Sequence, residues 1–154
     1  MHIFNQLNLS NDSLKILKGL KFDNPTPIQE KVIPVALQGN DVMGTAQTGS
    51  GKTLSYILPI VEKLRKNVND KFLILAPTRE LSEQVFSVAK IFLGHGKPFK
   101  AINLIGGKGI FSQINQLKKN PQIIIGTPGR INDLLERKSF SLSKCSLVVL
   151  DEMD

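Results

Sequence analysis

The chain has 154 residues, 41% hydrophobic and 21% charged, which is enough to bury one domain's core and too apolar for wholesale disorder. A single cysteine, Cys145, excludes an internal disulfide, and no apolar run approaches the roughly 20 residues of a membrane span. The formal net charge of +7 points to an anionic partner and says nothing of the fold.

The start, Met1-His2-Ile3-Phe4-Asn5-Gln6, lacks the basic and apolar regions of a signal peptide, so the expected location is cytoplasmic. Two helical stretches come first, capped by Ser10 and by Thr26-Pro27. Around the second cap runs Phe22-Asp23-Asn24-Pro25-Thr26-Pro27-Ile28-Gln29. The Phe22 ring can stack on a purine, and the Gln29 carboxamide can pair with an adenine edge. Read alone, the stretch is more simply a proline turn opening a helix.

Short apolar runs then alternate with amphipathic segments, the pattern of a parallel sheet with crossover helices. The predicted strands are Val42-Met43-Gly44, Phe72 to Ala76, Ala101 to Ile105, Ile123 to Gly126 and Leu147 to Leu150, apolar enough to be covered on both faces. Between them, Leu54, Ile57, Leu58, Val61 and Leu64 share one helix face. So do Leu81, Val85, Val88 and Phe92, and again Ile110, Ile114 and Leu117. Cys145 is expected as a small buried thiol. His2 and His95 have no ligand-spaced neighbours, so no metal is assigned to them.

Each polar motif follows a predicted strand, and in open parallel sheets ligands lie beyond the strands' carboxyl ends. Ala46-Gln47-Thr48-Gly49-Ser50-Gly51-Lys52-Thr53 reads as a phosphate-binding loop. Gly49 and Gly51 let N–H groups converge on phosphate oxygens, Lys52 reaches the phosphates and the Thr53 hydroxyl ligates Mg²⁺. Ala46 stands where the strict pattern has glycine. After the last strand, Asp151 can hold the Mg²⁺ hydration shell and Glu152 can deprotonate the attacking water; an exposed acidic turn is the plainer alternative. From Gln84 to Asn132 there is no Asp or Glu, while Lys90, Lys97, Lys100, Lys108, Lys118, Lys119 and Arg130 carry the whole net charge. A polyanion-binding face is expected there, against the alternative of a merely solubilising surface.

Together these residues resemble the first half of a DEAD-box RNA helicase, from about Phe4 to Asp154. Phe22 to Gln29 is similar to the adenine-sensing Q motif, with Phe4 as its upstream aromatic. Ala46 to Thr53 matches motif I, in which alanine comes first. Pro77-Thr78-Arg79 with Glu80 and Leu81 matches motif Ia, Gly106-Gly107 the GG motif and Thr127-Pro128-Gly129-Arg130 motif Ib. Asp151-Glu152-Met153-Asp154 stands at the name-giving tetrapeptide, with Met153 in place of alanine. Lys21 stands where the family usually has glycine.

The resemblance implies an α/β, RecA-like P-loop domain with a parallel sheet and flanking helices, incomplete at its C-terminal side. Residues 1–40 would form the Q-motif helical segment and 41–154 the ATP-binding core. ATP and Mg²⁺ would be the cofactors, with Phe22 and Gln29 selecting adenine and Thr53 and Asp151 serving Mg²⁺. Pro77 to Arg79, Gly106, Gly107 and Thr127 to Arg130 would meet the backbone of an RNA partner without reading its bases. The family places the arginine finger in a second RecA-like domain, so these residues alone are expected to turn over little ATP. A stand-alone nucleotide- or RNA-binding regulator is the alternative. A different P-loop enzyme does not predict Phe22, Gln29 or the Pro77 and Thr127 motifs.

Overall fold

The computed structural model describes residues 3–94 and 98–152; Met1, His2, His95, Gly96, Lys97, Met153 and Asp154 lie outside them. The chain divides into two compact units, residues 1–66 and 67–154. Among the described residues, no helix is long and apolar enough to cross a membrane.

The first unit is helical. A 3-10 turn at Phe4–Gln6 leads to helices α1 (Asn11–Gly19), α2 (Pro27–Leu37) and α3 (Lys52–Lys66). Ser10 caps α1 as its spacing predicts, its hydroxyl accepting from the Ser13 N–H. The pair also grips α3. Glu62, 6% exposed, accepts from the Ser10 N–H, the Ser10 hydroxyl and the Ser13 hydroxyl, and pairs with Arg65 at 3.0 Å. A buried carboxylate is tolerable only with its lone pairs filled in this way. The predicted stripe of α3 is buried in full, from Leu54 through Ile57, Leu58 and Val61 to Leu64.

Val42-Met43-Gly44 does not form the strand that its apolar run predicts. Among the described residues it belongs to no strand, and Met43 is 98% exposed. A strand is stabilised by its ladder, so an apolar run does not by itself make one. Gly44 instead passes close to Ile28 and Val32 of α2.

The second unit holds one sheet. Its elements are β1 (Lys71–Leu75), α4 (Arg79–Leu93), β2 (Ala101–Leu104), α5 (Ile110–Leu117), β3 (Ile123–Gly126), α6 (Pro128–Glu136) and β4 (Cys145–Leu150). The order is β2-β3-β1-β4, every pair parallel. β3 is buried along its whole length, and Phe72, Leu73 and Ile74 of β1 likewise. One face carries a core of Leu73, Ile102, Leu104 and Ile124 packed with Leu117, Ile131 and Leu134. β4 is one of the sheet's two edge strands and alternates half-buried with exposed residues, leaving Val148 53% and Leu150 61% exposed. Both-face coverage, expected of every strand, therefore fails at β4. Helix α6 carries no expectation from the sequence reading above: its apolar positions Ile131, Leu134 and Leu135 directly follow a motif read as a loop.

Candidate functional site

In residues 1–66 the segment around Gln29 meets the phosphate loop. Gln29 is 3% exposed and commits both ends of its carboxamide to backbone. Oε1 accepts from the Thr26 N–H at 2.9 Å, and Nε2 donates to the Gly51 carbonyl at 3.0 Å. The first bond is the glutamine half of a capping box. The threonine half does not close as a hydrogen bond, and Thr26 Oγ1 is buried with no partner. Each carboxamide end keeps one bond to make, a lone pair on Oε1 and a hydrogen on Nε2. A Cβ on Gly51 would stand 2.4 Å from Gln29 Nε2, so glycine is what lets loop and glutamine touch.

The loop turns at Gly49, φ 81°, and at Gly51, φ 84°, left-handed values open to glycine without strain. Helix α3 begins directly with Lys52, and the first N–H groups of a helix have no partner within it. Ser50 Oγ is buried without a hydrogen-bond partner. Buried hydroxyls left unpaired at a loop mark a place where a polar ligand completes the bonding. This donor set fits a phosphate chain, with amides at a helix start, the Lys52 ammonium and the Thr53 hydroxyl behind it. Ala46 is half-buried and Gln47 and Thr48 are exposed. Of the two aromatics, Phe4 is buried and Phe22 is 47% exposed, leaving much of its ring open to stacking. Lys21 before it holds φ 62°, a left-handed value that glycine adopts more readily than lysine.

In residues 67–154 four motifs stand side by side, because four parallel strands end at one edge. Along the sheet order they run Gly106-Gly107 after β2, Thr127 to Arg130 after β3, Pro77 to Arg79 after β1, and Asp151-Glu152 after β4. Backbone bonds stitch the row together: Thr127 N–H to Leu104 O at 3.2 Å, Ala76 N–H to Gly126 O at 3.0 Å, and Asp151 N–H to Leu75 O at 2.9 Å. Of the five motifs expected at strand ends, the phosphate loop alone has no strand before it among the described residues.

Side chains lock the row further. Thr78 caps α4 by accepting from the Leu81 N–H at 3.2 Å. Arg79 lies against the glycine pair, so close that a Cβ on Gly106 or Gly107 would meet its guanidinium at 2.9 or 2.7 Å. Arg130 Nη1 donates to the Lys108 carbonyl at 3.2 Å and to Gln113 Oε1 at 2.9 Å. Lys108 pairs with Glu83 at 3.6 Å, both exposed. Asp151 is buried at 5% exposure. Glu152 is exposed and holds φ 51°, a left-handed conformation uncommon outside glycine.

The acid-free window divides across the sheet. Lys108 and Arg130 stand at the carboxyl edge, beside the motifs. Lys100 precedes β2, and Lys118 and Lys119 precede β3, which puts those three at the opposite edge. Lys90, in the last turn of α4, lies over the Phe86 ring at 4.7 Å. Of the described window, Lys108 and Arg130 therefore stand beside the motifs, and Lys90, Lys100, Lys118 and Lys119 do not. Gln113, Glu83 and Lys108 entered none of the sequence motifs. Gln113 is legible in hindsight as a polar residue on the apolar Ile110, Ile114, Leu117 stripe.

Comparison with known proteins is consistent across the chain. The DEAD/DEAH box helicase family profile matches residues 26–154. The DEAD-box ATP-dependent RNA helicase CshA of Bacillus subtilis is 43% identical over 152 residues, covering 98% of this chain and 31% of the relative. The ATP-dependent RNA helicase CshA of Listeria monocytogenes is 44% identical, covering 98% and 29%. The chain thus spans about a third of the curated relatives it matches. Among solved structures, a DEAD box protein from Methanococcus jannaschii superposes with a TM-score of 0.89 at 40% identity, covering 97% of this chain and 41% of that one. The parallel sheet with flanking helices is that RecA-like architecture.

Proposed function

The chain belongs to the DEAD/DEAH box helicase family, and from that premise we propose that it is the ATP-binding and RNA-backbone-binding part of a cytoplasmic RNA helicase. The observation that carries this reading is the single row of strand-end motifs, Gly106-Gly107, Thr127 to Arg130, Pro77 to Arg79 and Asp151-Glu152. It sets polar and cationic groups beside a buried carboxylate along one sheet edge. Bound ATP supplies a transferable phosphoryl group and, with Mg²⁺, the charge that the protein must hold.

Lys52 and the amides after Gly51 bind the phosphates, and Thr53 ligates Mg²⁺. Gln29 offers its remaining lone pair and hydrogen to the adenine edge, while Phe22 stacks on the base. Asp151, buried, serves Mg²⁺ through its hydration shell. Glu152, exposed beside it, takes the proton of the attacking water. Thr78, Arg79, Gly107, Thr127 and Arg130 hold the RNA backbone. Contacts of that kind position a strand without reading it, so binding is independent of sequence. With residues 1–40 as the adenine-sensing segment and 41–154 as the core, these 154 residues alone bind ATP with little turnover, since the family places the arginine finger in a second domain.

Titration of the 154-residue chain with a fluorescent ATP analogue and Mg²⁺ tests the nucleotide half. Saturable binding is expected, weakened about 30-fold or more in Lys52→Ala, as for loss of a charge-assisted phosphate contact. Equal affinity in the variant would remove the loop from the site.

A further inference from the structure

Gln113 occupies a position that packing alone assigns to leucine. It sits in α5 on the stripe formed by Ile110, Ile114 and Leu117, and is 3% exposed. Buried polar groups persist where their bonds are made, and this carboxamide makes one at each end. Nε2 donates to the Ile105 carbonyl at 2.9 Å, and Oε1 accepts from Arg130 Nη1 at 2.9 Å. Ile105 is the residue before the glycine pair. Arg130 Nη1 also donates to the carbonyl of Lys108, the residue after it, at 3.2 Å. One buried side chain and one guanidinium thus hold both ends of the Gly106-Gly107 loop and tie it to the motif that ends β3. From the other side Arg79 lies against the same two glycines.

We propose that Gln113 is a positioning residue, which sets the RNA grip of this edge by fixing Arg130 against the glycine loop. The proposal rests on the RNA reading above. Arg130 carries five donors and turns two interactions inward, so the direction of its remaining N–H groups is fixed by Gln113 and Lys108. A long cationic side chain held in one geometry loses less conformational freedom when a phosphate arrives.

The test is a double-mutant cycle in the 154-residue chain, read by fluorescence anisotropy with a labelled single-stranded oligouridine. Gln113→Leu is expected to weaken binding about tenfold, in line with loss of a hydrogen bond to a charged group. In the Arg130→Ala background the same change should cost less than about twofold, because coupled residues are non-additive. Equal losses in both backgrounds would make Gln113 a packing residue and overturn the proposal, as would unchanged affinity in the single variant. In parallel, nitrogen-15 NMR without RNA follows the Arg130 guanidinium, whose slowed rotation gives resolved Nη–H signals that Gln113→Leu should collapse. Absence of RNA binding by the unsubstituted chain would count against the RNA reading, and the Arg130 signal alone would then support or overturn the clamp. If Gln113→Leu does not fold, Gln113→Glu replaces it. That variant keeps an acceptor for Arg130 and loses only the donor to Ile105, so the resolved Arg130 signal should persist, and its collapse would sink the idea.

Discussion

At the scale of single residues, Gln29 has more to do than its motif suggests. A glutamine after a proline turn reads as a base-sensing side chain, and only coordinates reveal that its carboxamide first joins the Thr26 N–H to the Gly51 carbonyl. Gln29→Ala leaves that donor and acceptor without their partner in a part-buried setting, so unfolding in urea should show a loss of about 2 kcal/mol. The same variant should let GTP compete better with ATP in the nucleotide titration. Unchanged stability would mean the bridge is not maintained in solution. The residue types of the phosphate loop were readable because glycine, lysine and threonine at that spacing have one familiar use. Gln113 was not, since a lone glutamine in a helix has no such pattern, and its meaning depends on where Ile105 and Arg130 arrive.

At the scale of elements, five of the helices and four of the strands follow from the sequence pattern, though β4 leaves Val148 and Leu150 exposed where coverage was expected. Val42-Met43-Gly44 departs from it because strand formation is a property of pairs, which no single run encodes. α6 stayed hidden because Thr127-Pro128-Gly129-Arg130 looks like a loop. Pro128 at the first helical position and Thr127 before it are nonetheless a helix start. Two glycines there behave oppositely. A Cβ on Gly126 would lie 2.4 Å from the Leu104 carbonyl oxygen, which is backbone and cannot swing aside. Gly126→Ala should therefore cost about 3 kcal/mol or prevent folding, as measured by thermal unfolding. Nothing lies within 4 Å of a Cβ on Gly129, and it is helical, so Gly129→Ala should gain up to about 1 kcal/mol. If the more stable variant also binds RNA less tightly, Gly129 serves the approach of the ligand and not the helix.

At the scale of the whole molecule, net charge is a poorer guide than its placement. Lys118 and Lys119 are separated from the motif row by the length of β3, about 13 Å for four residues. That exceeds the Debye length of about 8 Å at physiological ionic strength. Reversing both to Glu should leave RNA affinity within about twofold at that salt, whereas Lys108→Glu, at the carboxyl edge, should cost about fivefold or more. Anisotropy titrations compare the two directly; equal losses would mean the strand runs over both edges. Composition could give the sign of the partner's charge. The sheet order was needed to say which lysines meet it.

That order has one further meaning. Three backbone bonds, Thr127 to Leu104, Ala76 to Gly126 and Asp151 to Leu75, run in series across the strand ends. They form a relay from the acidic pair to the glycine loop in which no side chain takes part. Apart from Gly126, where a Cβ would press on the Leu104 carbonyl, the side chains along it can vary without cutting it, so its integrity leaves no trace in a list of motif residues. Only proline, at Ala76, Thr127 or Asp151, would take a donor out of the line.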